Sequence, residues 1–125
     1  MIFKYHKEHT WVKVDGDEAS VGITDYAQQE LGEIVYVDLP DVDDELIAGD
    51  EFGQIESTKT TSELIAPISG DVIESNIELE DTPSLINDSP EDRGWITKIS
   101  PADLSELDEL MGEEEYQEFL ESLDE

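Results

Sequence analysis

A lysine midway between two copies of one short phrase constrains the fold of this chain more than any other feature. Ile47-Ala48-Gly49-Asp50 precedes the lysine and Ile68-Ser69-Gly70-Asp71 follows it, with the two glycines 21 residues apart. Their midpoint falls between Lys59 and Thr60. Gly-Asp pairs are typical of turns, because glycine adopts positive φ without a steric penalty. The spacing predicts a near-symmetric unit with a turn at each Gly-Asp pair and Lys59 at its tip.

The segments on either side of Lys59 have the pattern of β-strands. Phe52, Ile55, Leu64 and Ile65 are interleaved with polar residues, and β-branched threonine is frequent. Two such runs joined by a short polar link predict a hairpin. A lysine alone at the turn of a hairpin offers its amine to a modifying enzyme, and lysine is the usual amine for such chemistry. The alternative is an ordinary solvated lysine, which the mirrored phrases argue against.

Length and charge limit the class of protein further. The chain has 125 residues, which predicts one domain over residues 1–125. Within it we expect a lysine-bearing hairpin unit at 46–77 and a helical tail at 101–125. The 6 Lys and Arg residues face 35 Asp and Glu residues, giving a net charge of −29. This charge argues against nucleic acid and membrane surfaces as partners.

The acidity does not indicate disorder, because 37% of the residues are apolar. A folded domain with an acidic surface is the better interpretation, and life in concentrated salt is its simplest cause, since salt screens the repulsion. An acidic nucleic-acid mimic or a calcium buffer is the alternative, although neither needs the lysine hairpin. The acidic loop at 41–45 lacks the glycine of an EF-hand. We therefore predict a halophilic source.

No catalytic set is evident in the sequence. There is no cysteine, and His6 and His9 are the only histidines, too few for a metal site. No phosphate-binding loop or nucleophile elbow is present. The N-terminus lacks a signal peptide and no apolar run is long enough to span a membrane. We expect a cytoplasmic, monomeric protein that is not an enzyme.

The first third of the chain predicts strands followed by a helix. Asp15-Gly16-Asp17 is a turn sequence. Thr24 is a good N-cap and Gly32 a good C-cap, so a two-turn helix is predicted over 24–31. Short strands are predicted at residues 2–5, 11–14 and 19–23.

The remainder predicts mostly strands and a helical tail, so the fold class is mostly β (α+β). A strand at 34–39 should stop at Pro40. Leu85 and Ile86 should anchor a long surface loop at 79–92. A closing strand is expected at 95–99. The tail should begin with Ser100 as cap and Pro101 as first helical residue, and form two amphipathic helices, broken near Gly112, that pack against the sheet.

Several segments, spread over nearly the whole chain, carry a resemblance to one family. They are His9 with Trp11, Val21-Gly22-Ile23-Thr24-Asp25-Tyr26-Ala27, Leu31-Gly32, Glu56-Ser57-Thr58-Lys59, Pro67-Ile68-Ser69-Gly70-Asp71-Val72, Leu85-Ile86-Asn87-Asp88-Ser89-Pro90 and Gly94-Trp95. In this order they resemble the H proteins of the glycine cleavage system, which are lipoyl carriers. The resemblance implies a lipoyl/biotinyl-type hairpin sandwich of antiparallel strands, with a short helix after the N-terminal strands and a helical C-terminal tail.

The resemblance also implies a cofactor and partners. Lipoate would be bound in amide linkage to Lys59 and would accept the aminomethyl group of glycine from a pyridoxal-phosphate glycine decarboxylase, the P protein. An aminomethyltransferase, the T protein, would transfer the carbon to tetrahydrofolate and release ammonia. A dihydrolipoyl dehydrogenase, the L protein, would reoxidise the arm, and a separate enzyme would attach the lipoate. Catalysis would reside in these partners.

Alternatives to this role stay open. A biotinyl carrier has a similar hairpin, but its lysine usually lies between methionines, whereas Thr58 and Thr60 flank Lys59 here. A lipoyl-relay protein that only passes lipoate to other complexes is a second alternative, and an acidic interaction module is a third.

The chain departs from the family pattern at two positions. Thr10 replaces an expected glutamate, so the carboxylate near the amine of the loaded arm has moved or is missing. Glu91 replaces a tyrosine after Ser-Pro, which we interpret as surface drift. Ser62 and Glu63 match a Ser-Asp pair of the family and are candidates for the cleft that shelters the loaded arm.

Overall fold

The fold comes from a computed structural model that describes residues 2–123. Within these residues the chain forms nine strands, four α-helices and one 3-10 helix. The strands are β1 (Ile2–Tyr5), β2 (Thr10–Asp15), β3 (Glu18–Ile23), β4 (Ile34–Val37), β5 (Glu45–Leu46), β6 (Glu51–Ser57), β7 (Thr61–Ile65), β8 (Gly70–Ser75) and β9 (Thr97–Pro101). The helices are α1 (Asp25–Leu31), α2 (Glu78–Asp81), α3 (Leu85–Asp88), the 3-10 helix (Leu104–Glu109) and α4 (Glu113–Leu123).

The strands form two antiparallel sheets. The larger has the order β1-β2-β3-β9-β8-β5, and the smaller has the order β4-β6-β7. One apolar cluster lies on the larger sheet and a second lies between the smaller sheet and the segment that carries α2 and α3. Phe52 of β6 packs against both clusters. The predicted class, antiparallel and mostly β with a few helices, is confirmed. The boundaries of a single domain over 1–125 stay a prediction.

The hairpin unit is less symmetric than the sequence predicts. Gly49 lies in a turn with φ of 87°, as expected. The turn predicted at 69–71 is wrong, because Gly70 is the first residue of β8. A Cβ on Gly70 would lie 2.5 Å from the carbonyl oxygen of Ser100 in the neighbouring strand. Gly70 therefore permits a close approach between strands.

Helix α1 forms as predicted. Thr24 has an extended backbone, and its hydroxyl oxygen accepts a hydrogen bond from the Ala27 amide. Gly32 ends the helix with φ of 86°. The strand predicted at 34–39 ends earlier, at Val37, and a register irregularity between Ile34 and Tyr36 interrupts its pairing with β6.

The prediction of a surface loop at 79–92 is wrong in part, because the short helices α2 and α3 form there. Each of them satisfies its amides locally, which no apolar period in the sequence indicates. Leu85 and Ile86 are buried, as expected. The closing strand predicted at 95–99 forms two residues later, over Thr97–Pro101.

The start of the tail also differs from the prediction. Ser100 and Pro101 belong to β9, and Asp103 caps the 3-10 helix instead, with its carboxylate accepting from the Ser105 amide. The helical tail breaks before Glu113 as predicted. It packs through Leu107 in the core and through Tyr116, which is 2% exposed. The last two residues of the predicted tail lie outside the described residues.

Candidate functional site

Lys59 lies at the tip of the β6–β7 hairpin. The Ser57 amide donates to the Thr60 carbonyl at 2.8 Å and closes the turn. The Ser57 hydroxyl oxygen accepts from the amides of Lys59 and Thr60, each at 3.1 Å. A serine that bonds its own turn in this way holds the backbone without help from the core. The tip is therefore a defined structure although it is exposed.

The Lys59 side chain extends over the end of α1. The position that a Cβ on Gly32 would occupy is 3.2 Å from Lys59 Cε. The Thr58 amide donates to the Glu33 carbonyl at 3.0 Å, which ties the tip to the same segment. Lys59 is exposed, and within residues 2–123 its ammonium has neither a hydrogen-bond acceptor nor an ion-pair partner. Its amine is free to react.

A cleft of about 780 Å³ begins two residues beyond Lys59. Thr61, Ser62 and Glu63 of β7 line one wall. Residues 6–9, which connect β1 to β2, line the opposite wall, and we call them the 6–9 loop. The structure thus brings Ser62 and Glu63 together with Glu8, and two carboxylates line one cleft near the lysine tip.

The two departures from the family pattern have definite places in the structure. Thr10 is 1% exposed and its hydroxyl donates to the Ile65 carbonyl at 2.8 Å, so it ties β2 to the end of β7. Glu91 accepts from the Tyr5 hydroxyl at 3.3 Å and from the Asp25 amide at 3.2 Å. The interpretation of Glu91 as surface drift is therefore wrong, because it holds β1 to the start of α1.

The 6–9 loop is held by a network that reaches the C-terminal helix. His9 Nδ1 lies 2.8 Å from the Tyr116 hydroxyl, which lies 2.7 Å from Thr24 Oγ1. Burial lowers the pKa of His9 below its ordinary value, against the opposing effects of Glu8 and Glu30. Burial also raises the pKa of Tyr116 to about 12, so its hydroxyl stays protonated.

Sequence reasoning missed three residues that shape the site. The sequence analysis gives Ser57 no structural role beyond its family motif, although a serine before a short link is a turn signal. Gly32 is predicted as a C-cap, but no local signal indicates that the Lys59 side chain lies close to it. Tyr116 was counted as one member of an apolar stripe, and only the fold shows that its hydroxyl reaches His9.

In the described part of the chain, no group of three or more His, Asp and Glu side chains is placed to hold a metal ion. The helices within residues 2–123 include none that is long and apolar enough to cross a membrane.

An exposed lysine at the tip of an antiparallel hairpin, above a polar cleft, is the arrangement expected of a carrier domain. The model of the glycine cleavage H-protein family matches residues 3–123. The chain belongs to that family. As a member it is a carrier protein of the glycine cleavage system with covalently bound lipoate, as the motifs predict.

Similar proteins agree with this assignment. A glycine cleavage system H protein of Staphylococcus saprophyticus is 56% identical over 94% of this chain and 93% of the relative. One from Halalkalibacterium halodurans is 52% identical over 94% of this chain and 91% of the relative. The crystal structure of a glycine cleavage system H protein from Mycobacterium marinum superposes with a TM-score of 0.84 at 38% identity, covering 91% of this chain and 92% of that one.

Proposed function

We propose that lipoate is attached to this chain in amide linkage at Lys59 and that the arm, once loaded with the aminomethyl group of glycine, lies in the cleft between β7 and the 6–9 loop. The observation that carries this proposal is the position of Lys59. It is exposed at the tip of a hairpin whose turn is fixed by Ser57, and the cleft begins two residues further along.

The chemistry of the cleft suits the loaded arm. An aminomethyl amine is a cation at neutral pH, and charge-assisted hydrogen bonds to carboxylates are the strong ones. Glu63 and Glu8 line opposite walls and can supply them, while Ser62 offers a hydroxyl. Thr10 takes no part in this, since its hydroxyl is engaged with Ile65.

The chain needs no catalytic group of its own in this role. We propose that glycine decarboxylase loads the arm, that aminomethyltransferase unloads it, that dihydrolipoyl dehydrogenase reoxidises the dithiol, and that a lipoate-attaching enzyme modifies Lys59. Tethering raises the effective concentration of the reactive sulfur at each docked enzyme. The cytoplasmic location and the monomeric state stay predictions.

The test compares the lipoylation of two variants, Lys59→Arg and the control Lys13→Arg. Arginine keeps the charge and most of the stem, but its guanidinium stays protonated and does not accept an acyl group. We expect Lys59→Arg to fold like the parent, to carry no lipoyl group by intact mass, and to support no glycine-bicarbonate exchange with the partner enzymes. Lys13 lies in β2, so its variant should be lipoylated normally.

Peptide mapping that places lipoate on another lysine, or exchange activity sustained by Lys59→Arg, would contradict the assignment. A biotinyl adduct on Lys59 would favour the biotinyl carrier. Lipoylation without any glycine-bicarbonate exchange would favour the relay role.

A further inference from the structure

The hydroxyl of Tyr116 is buried between two side chains from distant parts of the chain. Tyr116 is 2% exposed on α4, whereas its partners are His9 of the 6–9 loop and Thr24, the N-cap of α1. These contacts span 107 and 92 positions of sequence. One hydroxyl therefore joins the C-terminal helix to a wall of the cleft.

We assign the donors and acceptors of this network from the hydrogen bonds that its atoms already make. Thr24 Oγ1 already accepts from the Ala27 amide, so its own proton is available to the Tyr116 oxygen. The Tyr116 proton then goes to His9 Nδ1, which must be the unprotonated nitrogen of a neutral ring. In this arrangement each of the two hydroxyl protons has an acceptor.

The backbone of His9 needs such support. His9 has φ of 68°, in the left-handed region that residues other than glycine enter at a steric penalty. Its amide donates to the His6 carbonyl and its carbonyl accepts from the Thr24 amide. A residue keeps a backbone of this kind only where its surroundings fix it from several sides. Tyr116 supplies a side-chain hydrogen bond from the C-terminal helix, beside the aromatic contact that Phe119 of the same helix makes with the His9 ring.

We propose that Tyr116 is a positioning residue for the sheltered arm, acting through His9 to hold the 6–9 loop against the wall formed by Ser62 and Glu63. This inference rests on the proposed function and adds the element that sets how closely the cleft encloses the arm. The C-terminal helix thereby becomes part of the carrier site although no residue of α4 lines the cleft.

The ring and the hydroxyl of Tyr116 have separable tasks. The ring stacks on Tyr5 with centroids 4.6 Å apart and planes at 4°. Phenylalanine would keep that stacking. The hydroxyl makes both long-range hydrogen bonds, whereas the ring also meets the His9 ring edge-on at 5.9 Å. A Tyr116→Phe variant should therefore fold, keep the ring contacts and lose the hydrogen bond to His9.

The test follows the spontaneous loss of the aminomethyl group from lipoylated protein that has been loaded with glycine and glycine decarboxylase. In this hydrolysis the oxygen of water bonds to the aminomethyl carbon and the carbon–sulfur and carbon–nitrogen bonds break. The sulfur and the nitrogen each take one proton from that water, which leaves the thiol, formaldehyde and ammonia. Intact mass reports the loaded fraction over time. We expect Tyr116→Phe to lose the group about fivefold faster, the effect of removing one hydrogen bond of ordinary strength.

Tyr5→Phe is the matched control. It removes a hydroxyl from the same aromatic stack, but that hydroxyl donates to Glu91 and does not contact the 6–9 loop. We expect its loaded arm to last as long as in the parent. His9→Asn is a conservative variant, because asparagine tolerates positive φ and its side-chain oxygen can accept from Tyr116. It should keep much of the protection.

Nitrogen NMR of the His9 ring reports the hydrogen bond from Tyr116 directly, through the tautomer of the ring. The parent should show one neutral tautomer, and Tyr116→Phe should mix the tautomers and raise the pKa of His9, since a donor to the neutral ring is lost. The charged and titrating groups around this ring are Glu8, Glu30, His6, Lys7 and Tyr26, and all are unchanged in the variant.

Each outcome decides between the two proposals. Equal lifetimes in Tyr116→Phe and the parent, or equal acceleration in Tyr5→Phe, would overturn the positioning role while leaving the carrier role intact. A parent arm that loses its group as fast as a loaded lipoyl-lysine peptide would overturn the shelter itself. Absence of lipoate from Lys59 would overturn the proposed function.

Discussion

Strand β7 and the 6–9 loop face each other across the cleft, and they are held there by contacts of different range. β7 pairs with β6, and residues 58–60 join the two strands. Ser57 fixes this turn through local hydrogen bonds. Residues 6–9 have local hydrogen bonds of their own. His9 in addition bonds Thr24 and Tyr116, which lie outside the loop and farther along the chain. A local element presents the lysine, whereas a long-range network positions the opposite wall. The Ser57 turn and the Tyr116 hydroxyl can therefore be removed separately, while Thr10, which follows the loop, still bonds the Ile65 carbonyl at the end of β7.

The largest effect on the hairpin side should come from Gly32→Ala. The φ of 86° is unfavourable for alanine, which we expect to lower the free energy of unfolding by about 1–3 kcal/mol. The new Cβ would also lie 3.2 Å from Lys59 Cε and push the lysine stem aside. Lipoylation should slow, as measured by intact mass over time and by urea unfolding.

Gly16→Ala separates the two consequences. Gly16 also has positive φ, at 65°, but a Cβ there would meet no atom within 4 Å. This variant should lose stability and be lipoylated at the parental rate. Equal lipoylation rates in the two variants would show that Gly32 has no influence on the arm.

Salt should affect the hairpin side more than the 6–9 loop. Glu33, Glu56 and Glu63 are exposed near the lysine tip. The loop carries one carboxylate, Glu8, beside Lys7 and two histidines. Raising ionic strength shortens the Debye length to roughly 3 Å at 1 M and screens repulsion among the carboxylates. The melting temperature should rise with KCl.

Hydrogen exchange locates that effect. The amides of Ser57 and Thr58 should gain more protection with salt than the amide of His9. A melting temperature unchanged between millimolar and molar KCl would remove the halophilic explanation of the acidity, which stays a prediction.

The contrast between the walls also explains what the sequence could predict. The hairpin, Lys59 and the cap at Thr24 are local patterns, and each is where the pattern placed it. The mirrored Gly-Asp pairs misled at Gly70, because a glycine needed for close strand contact looks the same in sequence as one needed for a turn. The roles of Glu91 and Tyr116 depend on partners far away in sequence, so no local pattern could reveal them.

A smaller effect should distinguish the carboxylates of the two walls. If Glu63 neutralises the amine of the loaded arm, Glu63→Gln should speed loss of the aminomethyl group by about threefold, since a charge-assisted bond becomes a neutral one. Glu8→Gln tests the same role from the 6–9 loop. If either variant keeps its loaded arm as long as the parent does, that carboxylate has no part in the shelter. The control is Glu56→Gln, because Glu56 lies on β6 and does not line the cleft.

The smallest effect should be a pH dependence confined to the 6–9 loop. Burial lowers the pKa of His9 from its ordinary value of 6.5, so the unfolded chain binds a proton more readily than the folded chain. The stability that the neutral ring provides is then complete above pH 6.5 and is lost as the pH falls from 6.5 toward the lowered value. Carboxylates titrate at lower pH and change stability too, so the informative quantity is the difference in unfolding free energy between the parent and His9→Asn. Below pH 6.5 the unfolding free energy of the parent should fall relative to that of His9→Asn. Urea unfolding of both proteins from pH 7.5 to pH 5.5 measures this difference, and a constant difference would show that the long-range network does not hold His9 neutral.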